Sequence, residues 1–173
     1  MISKLGCIIA FVLFIFLAFS WLSSKLGAYL PHQRTLVFLL LAFVLGLGLV
    51  VNVIFKDHFG RPRPAIISEF GGDIQFTPAF VISDQCDTNC SFVCGDCSIG
   101  FVTLAFALLA RRRRKLYIAG AVTLGSLIGL MRIGKGAHFL SDVIFSGVFT
   151  ILVTYALYWL LKPDAEKNVL AAP

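Results

Sequence analysis

The sequence predicts an all-α protein: a polytopic transmembrane helical bundle of about five to six spans, with a short-helix and loop segment on its outer face. Three observations predict it. Of 173 residues, 58% are hydrophobic and only 14% charged, and the mean hydropathy is +0.90. A soluble domain is about half apolar and a quarter charged, so a soluble globular domain and a disordered chain are both excluded. The apolar residues fall into long runs broken by short polar stretches, and most cations cluster at the edges of those runs. The net charge of +6, from 15 Lys and Arg against 9 Asp and Glu, therefore reads as membrane topology first and anion binding second, not as nucleic-acid binding. The length fits a single domain over residues 1–173.

A spanning helix needs about 20 mostly apolar residues. The first candidate covers roughly Ile2 to Leu26; its length and the lack of a small-residue cleavage site argue against a secretory signal. A polar break, Gly27 to Arg34, precedes a second run from Thr35 to Phe55, which as a helix covers roughly 31 Å, one hydrocarbon thickness. Between Lys56 and Ser98 the chain is rich in Pro, Gly and acids and lacks clear periodicity, so it is expected to be a structured aqueous loop with short helices. A third, short span is expected over Ile99–Ala110, a fourth over Leu116–Met131 and a fifth over His138–Leu161. The block RRRRK (Arg111–Lys115) between the third and fourth orients the bundle with that turn inside. Parity then puts the 27–34 break and the tail with Lys162 and Lys167 inside, and the 56–98 loop and the 132–137 turn outside. Lys4 fits this orientation poorly.

Charge beside a membrane span is costly and is kept for a function. Three such clusters fall on the outer face: KDHFGRPRP (Lys56–Pro64), SFVCGD (Ser91–Asp96) and RIGKGAHFLSD (Arg132–Asp142). Lys56, Arg63 and Arg132 supply fixed positive charge, the arginines as planar forks suited to phosphate oxygens. Gly95 lets a backbone N–H approach an anion closely, at the expected start of a helix. His138 and Asp142 lie four apart, on one helical face. An aspartate there can bond one imidazole nitrogen and leave the other free as a nucleophile. Cationic clamps around an oriented nucleophile are the equipment of phosphoryl transfer.

Lys56-x6-Arg63-Pro64 and Arg132-x5-His138-x3-Asp142 resemble the first and third motifs of the type 2 phosphatidic acid phosphatase (PAP2) superfamily, which also holds the vanadium-dependent haloperoxidases. The resemblance covers roughly Thr35 to Leu161. It implies a helical bundle and a metal-independent, cofactor-free hydrolysis of phosphomonoesters. By the same resemblance His138 attacks phosphorus, Asp142 orients it, and Lys56, Arg63 and Arg132 hold the phosphate with the Cys94–Gly95 segment. The second motif departs from the family's usual Pro-Ser-Gly-His: this chain reads Val93-Cys94-Gly95-Asp96. Cys94 lacks the usual hydroxyl, and Asp96 stands where the acid for the leaving oxygen is usually a histidine. A carboxyl serves as an acid only with a raised pKa, which requires a place apart from the cations; otherwise water protonates the leaving group. Some lipid A phosphatases of the family are similar in carrying an acidic residue there. Met131, where Ser is common, is a milder departure.

The resemblance thus implies a multi-pass phosphatase of the bacterial inner membrane, its site facing the periplasm and its partner a phosphorylated lipid, foremost lipid A or a related glycolipid. An undecaprenyl-diphosphate or phosphatidylglycerophosphate phosphatase is the alternative enzyme, and a silent lipid-phosphate-binding protein the alternative of another class. The oligomeric state stays open. His58, Arg61 and Lys135 are expected to be solvated loop residues, and His32 an interfacial one. The four clustered cysteines Cys86, Cys90, Cys94 and Cys97 allow three pairings. A Cys86–Cys90 bridge is the expected staple. Zinc is its rival, without the familiar paired C-x2-C units. A cysteine-phosphatase nucleophile is excluded, because no Arg stands six positions after any of the four.

Overall fold

A computed structural model describes residues 33–56 and 58–163. The span expected over Ile2–Leu26, with Lys4 and Cys7, lies outside the described residues, as do His32 and Lys167. Every regular element among the described residues is helical; strand-like pairing is confined to an isolated bridge between Ile67 and Ile74. The Thr35–Phe55 run becomes α1 (Gln33–Leu41), which continues in a wider π-type winding over Ala42–Lys56. The polar segment holds two single 3-10 turns, Pro64–Ile66 and Ser68–Phe70. Then follow α2 (Gly95–Val102), α3 (Leu104–Leu109), α4 (Arg114–Gly134) and α5 (Leu140–Leu161).

Helix boundaries differ from the expected ones for local reasons. α2 begins at Gly95 rather than Ile99 because extended Cys94 caps it, its sulfur accepting the Cys97 N–H at 3.3 Å. The third apolar run breaks between α2 and α3 where the Thr103 hydroxyl donates back to the Gly100 carbonyl at 2.6 Å, competing with the helical ladder. α5 starts at Leu140 rather than His138. Asp142, at its third position, accepts the Phe139 N–H at 2.8 Å, the acidic half of a capping box. Lys162, at φ +42°, and Pro163 end α5.

α4 and α5 are long and apolar enough to cross a membrane. α4 buries little of itself: Leu116, Leu127, Leu130 and Met131 are each more than half exposed. An apolar surface of that extent suits lipid better than water. The helices that do meet approach through small residues. A Cβ on Gly100 of α2 would lie 2.5 Å from the Gly125 Cα of α4, and one on Gly129 would lie 2.3 Å from a Val143 methyl of α5. Gly125 and Gly129 form a G-x3-G stripe that lets both neighbours close in. On α5, Asp142, Ser146, Thr150 and Thr154 recur every four residues, and all are fully buried. This polar stripe faces the bundle interior. Phe92 is also fully buried, within a cluster where Phe59–Phe92 centroids lie 5.1 Å apart and Phe55–Phe149 centroids 4.2 Å apart. That cluster fixes the segment entering α2.

Candidate active site

Main-chain hydrogen bonds sew the three charged segments together. The Ala65 N–H donates to the Gly136 carbonyl at 2.9 Å, joining the first segment to the third. The Ser91 N–H donates to the Arg61 carbonyl at 2.8 Å, joining the second to the first. The Cys94 N–H donates to the Asp142 carbonyl at 3.2 Å, joining the second to the third, and the Ser146 hydroxyl donates to the Cys94 carbonyl at 2.7 Å. Two glycines permit these approaches. Gly60 (φ +56°) lies so close to the Ser83 carbonyl oxygen that a Cβ would fall 1.8 Å from it, and Gly136 (φ +64°) turns the chain against Ala65.

His138 is fully buried. Its Nδ1 lies 2.7 Å from the Ser91 carbonyl oxygen. A carbonyl only accepts, so Nδ1 carries the proton and a neutral ring bears its lone pair on Nε2. Nε2 is buried and has no hydrogen-bond partner among the described residues. Its lone pair is committed to no group among the described residues.

Asp142 does not orient the ring by a direct hydrogen bond, as the sequence led us to expect. Its Oδ2 is 3.7 Å from His138 Nδ1, beyond hydrogen-bond range. Instead it accepts the Ser91 hydroxyl at 2.5 Å and so braces the residue whose carbonyl holds the ring. Its other oxygen accepts Arg61 Nη1, also at 2.5 Å.

Arg61 is therefore no solvated loop residue: it is 2% exposed. Its Nε donates to the Thr77 carbonyl at 2.8 Å, its Nη1 also donates to the Ser141 hydroxyl at 2.9 Å, and its guanidinium stacks 4.1 Å from the Phe139 ring centroid. Burial pushes the guanidinium below its ordinary pKa, while the Asp142 charge and hydrogen bond pull it back up. It stays charged, since arginine does not deprotonate in proteins. Arg61 and Ser91 are the participants that motif reading missed. The surplus cation in GRPRP was the available signal for Arg61.

Arg63 is half-buried, and its Nε and Nη2 donate to the Asn89 carbonyl at 3.3 and 2.9 Å. Lys56 ends the π-type winding. Arg132, in the last turn of α4, pairs through Nε with Asp96 at 2.9 Å, the two side chains 29% and 49% exposed. Asp96 thus stands against a cation rather than in the apolar niche that a general acid there would need. Cys94 is buried, and its sulfur is bonded to Cys97, so the thiol does not replace the missing hydroxyl as a phosphate contact. Gly95 is buried at the first position of α2. A second disulfide joins Cys86 and Cys90, and the two bridges leave none of the four cysteines as a thiolate for zinc. Lys135 is exposed beyond α4, and His58 is half-buried.

Helices that bring a lysine–arginine segment, a helix N-terminus and a buried histidine to one end of a bundle define a class. The chain belongs to the PAP2 superfamily, whose family model matches residues 35–165. Among curated proteins it is similar to the lipid A 4'-phosphatase of Francisella tularensis subsp. novicida (strain U112), 49% identical over 140 residues, 79% of this chain and 63% of that protein. It is 36% identical over 128 residues to the lipid A 4'-phosphatase of Rhizobium etli, 73% of this chain and 50% of that protein. The lipid A 1-phosphatase of Rhizobium etli is 36% identical over 151 residues, 82% of this chain and 56% of that protein. The chain spans between half and just under two thirds of the length of these relatives. No solved structure matches it.

Proposed function

We propose that the chain carries the catalytic unit of a membrane lipid phosphatase that hydrolyses a phosphomonoester of lipid A or a related glycolipid through a phosphohistidine. The observation that carries this reading is the buried, unpartnered Nε2 of His138, with Nδ1 committed to the Ser91 carbonyl. The relatives, lipid A 4'-phosphatases by name, suggest the substrate class. In this mechanism the Nε2 lone pair forms a bond to phosphorus and the bond from phosphorus to the sugar oxygen breaks. Water then attacks the phosphohistidine, phosphate leaves, and Nε2 regains its lone pair. Lys56, Arg63 and Arg132 hold the phosphoryl oxygens. Arg132 has five N–H donors, so it can turn some to the phosphate while Nε stays on Asp96. With Asp96 so paired, water supplies the proton to the leaving oxygen. Arg61 and Ser91 act through Asp142 and the Ser91 carbonyl as positioning residues.

The wider arrangement in this reading is a bundle of five to six spans in the bacterial inner membrane, with the site on the periplasmic face. The apolar exposed flank of α4 and the two disulfides near the site support it. The test is phosphate release from purified lipid A by the full-length protein and by His138→Ala. We expect the variant to lose at least about a thousandfold in rate, as nucleophile removal does elsewhere, and the wild type to give an acid-labile phosphoenzyme. Equal release by both proteins defeats the mechanism; no release by the wild type from any lipid phosphate leaves a silent binding protein.

A further inference from the structure

A cavity of about 430 Å³ opens beside His138, walled by Pro64, Ala65, Phe70, Ile133, Phe139 and Leu140. Its size falls within the roughly 300–1,000 Å³ of small-molecule sites, yet apart from the imidazole these wall side chains are hydrocarbon. A site for a phosphate head alone has no use for such walls. Two of its residues face outward as large apolar groups, Phe70 at 69% and Leu140 at 61% exposed. Leu140 begins the exposed apolar stripe of α5 that continues with Ile144 and Val148, and Ile133 sits one turn from exposed Leu130 on α4. The cavity is therefore continuous with the two helix surfaces apolar enough to face lipid. Phe70 ends the second 3-10 turn, and the adjoining Gly71 (φ +90°) turns the chain back so that Ile67 bridges Ile74. A short, internally bonded turn thus presents the ring outward.

We propose that this cavity is a hydrocarbon-chain site, open to the outer leaflet, in which an acyl chain next to the scissile phosphate lies against Phe70, Ile133 and Leu140 while the phosphate meets His138. Phe70 is inserted at the lipid boundary and is the specificity-determining wall. The proposal rests on the lipid phosphatase reading given above and adds a chain-binding site to it. It also gives the substrate a lipid-side approach to the buried imidazole, the chain held in hydrocarbon while the phosphate head and the hydrolytic water stay on the aqueous side.

The test uses full-length protein in lipid nanodiscs, with Phe70→Asp and Leu140→Gln compared with wild type on two substrates, lipid A and water-soluble glucosamine 4-phosphate. Both side chains are largely exposed, so both variants are expected to fold. Each variant should lower kcat/KM on lipid A by about tenfold or more, since each loses most of one large apolar contact, and leave the soluble substrate within about twofold. Equal losses on both substrates, or none on either, overturn the proposal. A second measurement does not depend on turnover: Phe70→Trp in vesicles of brominated phospholipid. Quenching beyond that of wild type places position 70 in the lipid and supports the proposal; unquenched fluorescence overturns it. If wild type cleaves neither substrate, the catalytic reading fails while the quenching result still decides the lipid contact.

Discussion

At the scale of single residues, the decisive group is Arg61, a charged side chain held among Thr77, Ser141, Asp142 and Phe139. Removing one partner of a buried ion pair leaves the other uncompensated, at about 3–5 kcal/mol. Arg61→Ala should therefore lower the melting temperature in detergent and abolish activity. Arg61→Lys keeps the charge without the fork; it should recover most of the stability but only part of kcat, with KM nearly unchanged. A lysine variant as active as wild type would show that the fork does not position Asp142. Lys56, Arg63, Arg132, His138 and Asp142 are legible in the sequence as candidates because motif spacing exposes them, and the fold brings their three segments together. Arg61 and Ser91 are not, because their roles depend on acceptors that only the fold supplies. Arg61 meets Thr77, 16 residues away, and Asp142, 81 residues away. A charged residue in a Gly- and Pro-rich stretch is ordinarily solvated, and here the aspartate at the head of α5 overrides that default.

At the scale of elements, glycine sets how closely the helices meet. Gly100→Ala places a methyl 2.5 Å from the Gly125 Cα, so α2 and α4 must separate. Overpacking of this kind costs about 1–3 kcal/mol. Gly120, in the same helix α4, has nothing within 4 Å of an added Cβ, so Gly120→Ala should be neutral or stabilising by up to about 1 kcal/mol. Thermal unfolding of the two variants in one detergent checks the contrast; equal shifts would show that the crossing is not close-packed. The apolar runs made the helices themselves legible. Their ends were not, since these depend on side chains folding back on the backbone: the Cys94 sulfur at α2, the Thr103 hydroxyl at the break and the Asp142 carboxylate at α5.

At the scale of the whole molecule, RRRRK and the α4–α5 turn lie at opposite ends of α4, 21 residues long, which as a helix spans roughly 31 Å, about one bilayer core. In a Cys7→Ser background, Arg112→Cys should react with a membrane-impermeant maleimide only after the membrane is opened, and Lys135→Cys should react from outside in intact spheroplasts. Labelling of both from one side would overturn the orientation. Parity of the expected spans puts the three charged segments on one face, because an odd number of expected crossings separates RRRRK from each of them, and the main-chain bonds that join the segments agree with that placement. What parity does not supply is the depth of the histidine, whose ring sits beside buried Asp142 with Nδ1 held by the Ser91 carbonyl.

The bonds that stitch Ala65 to Gly136, Ser91 to Arg61 and Cys94 to Asp142 run between peptide groups. A peptide N–H and carbonyl are the same whatever side chain they carry. The scaffold of the site can therefore outlast turnover in its chemistry: a serine can give way to cysteine, or a histidine to aspartate, while the architecture stays in register. Val93-Cys94-Gly95-Asp96 sits on a chassis whose joints do not depend on which side chains it carries.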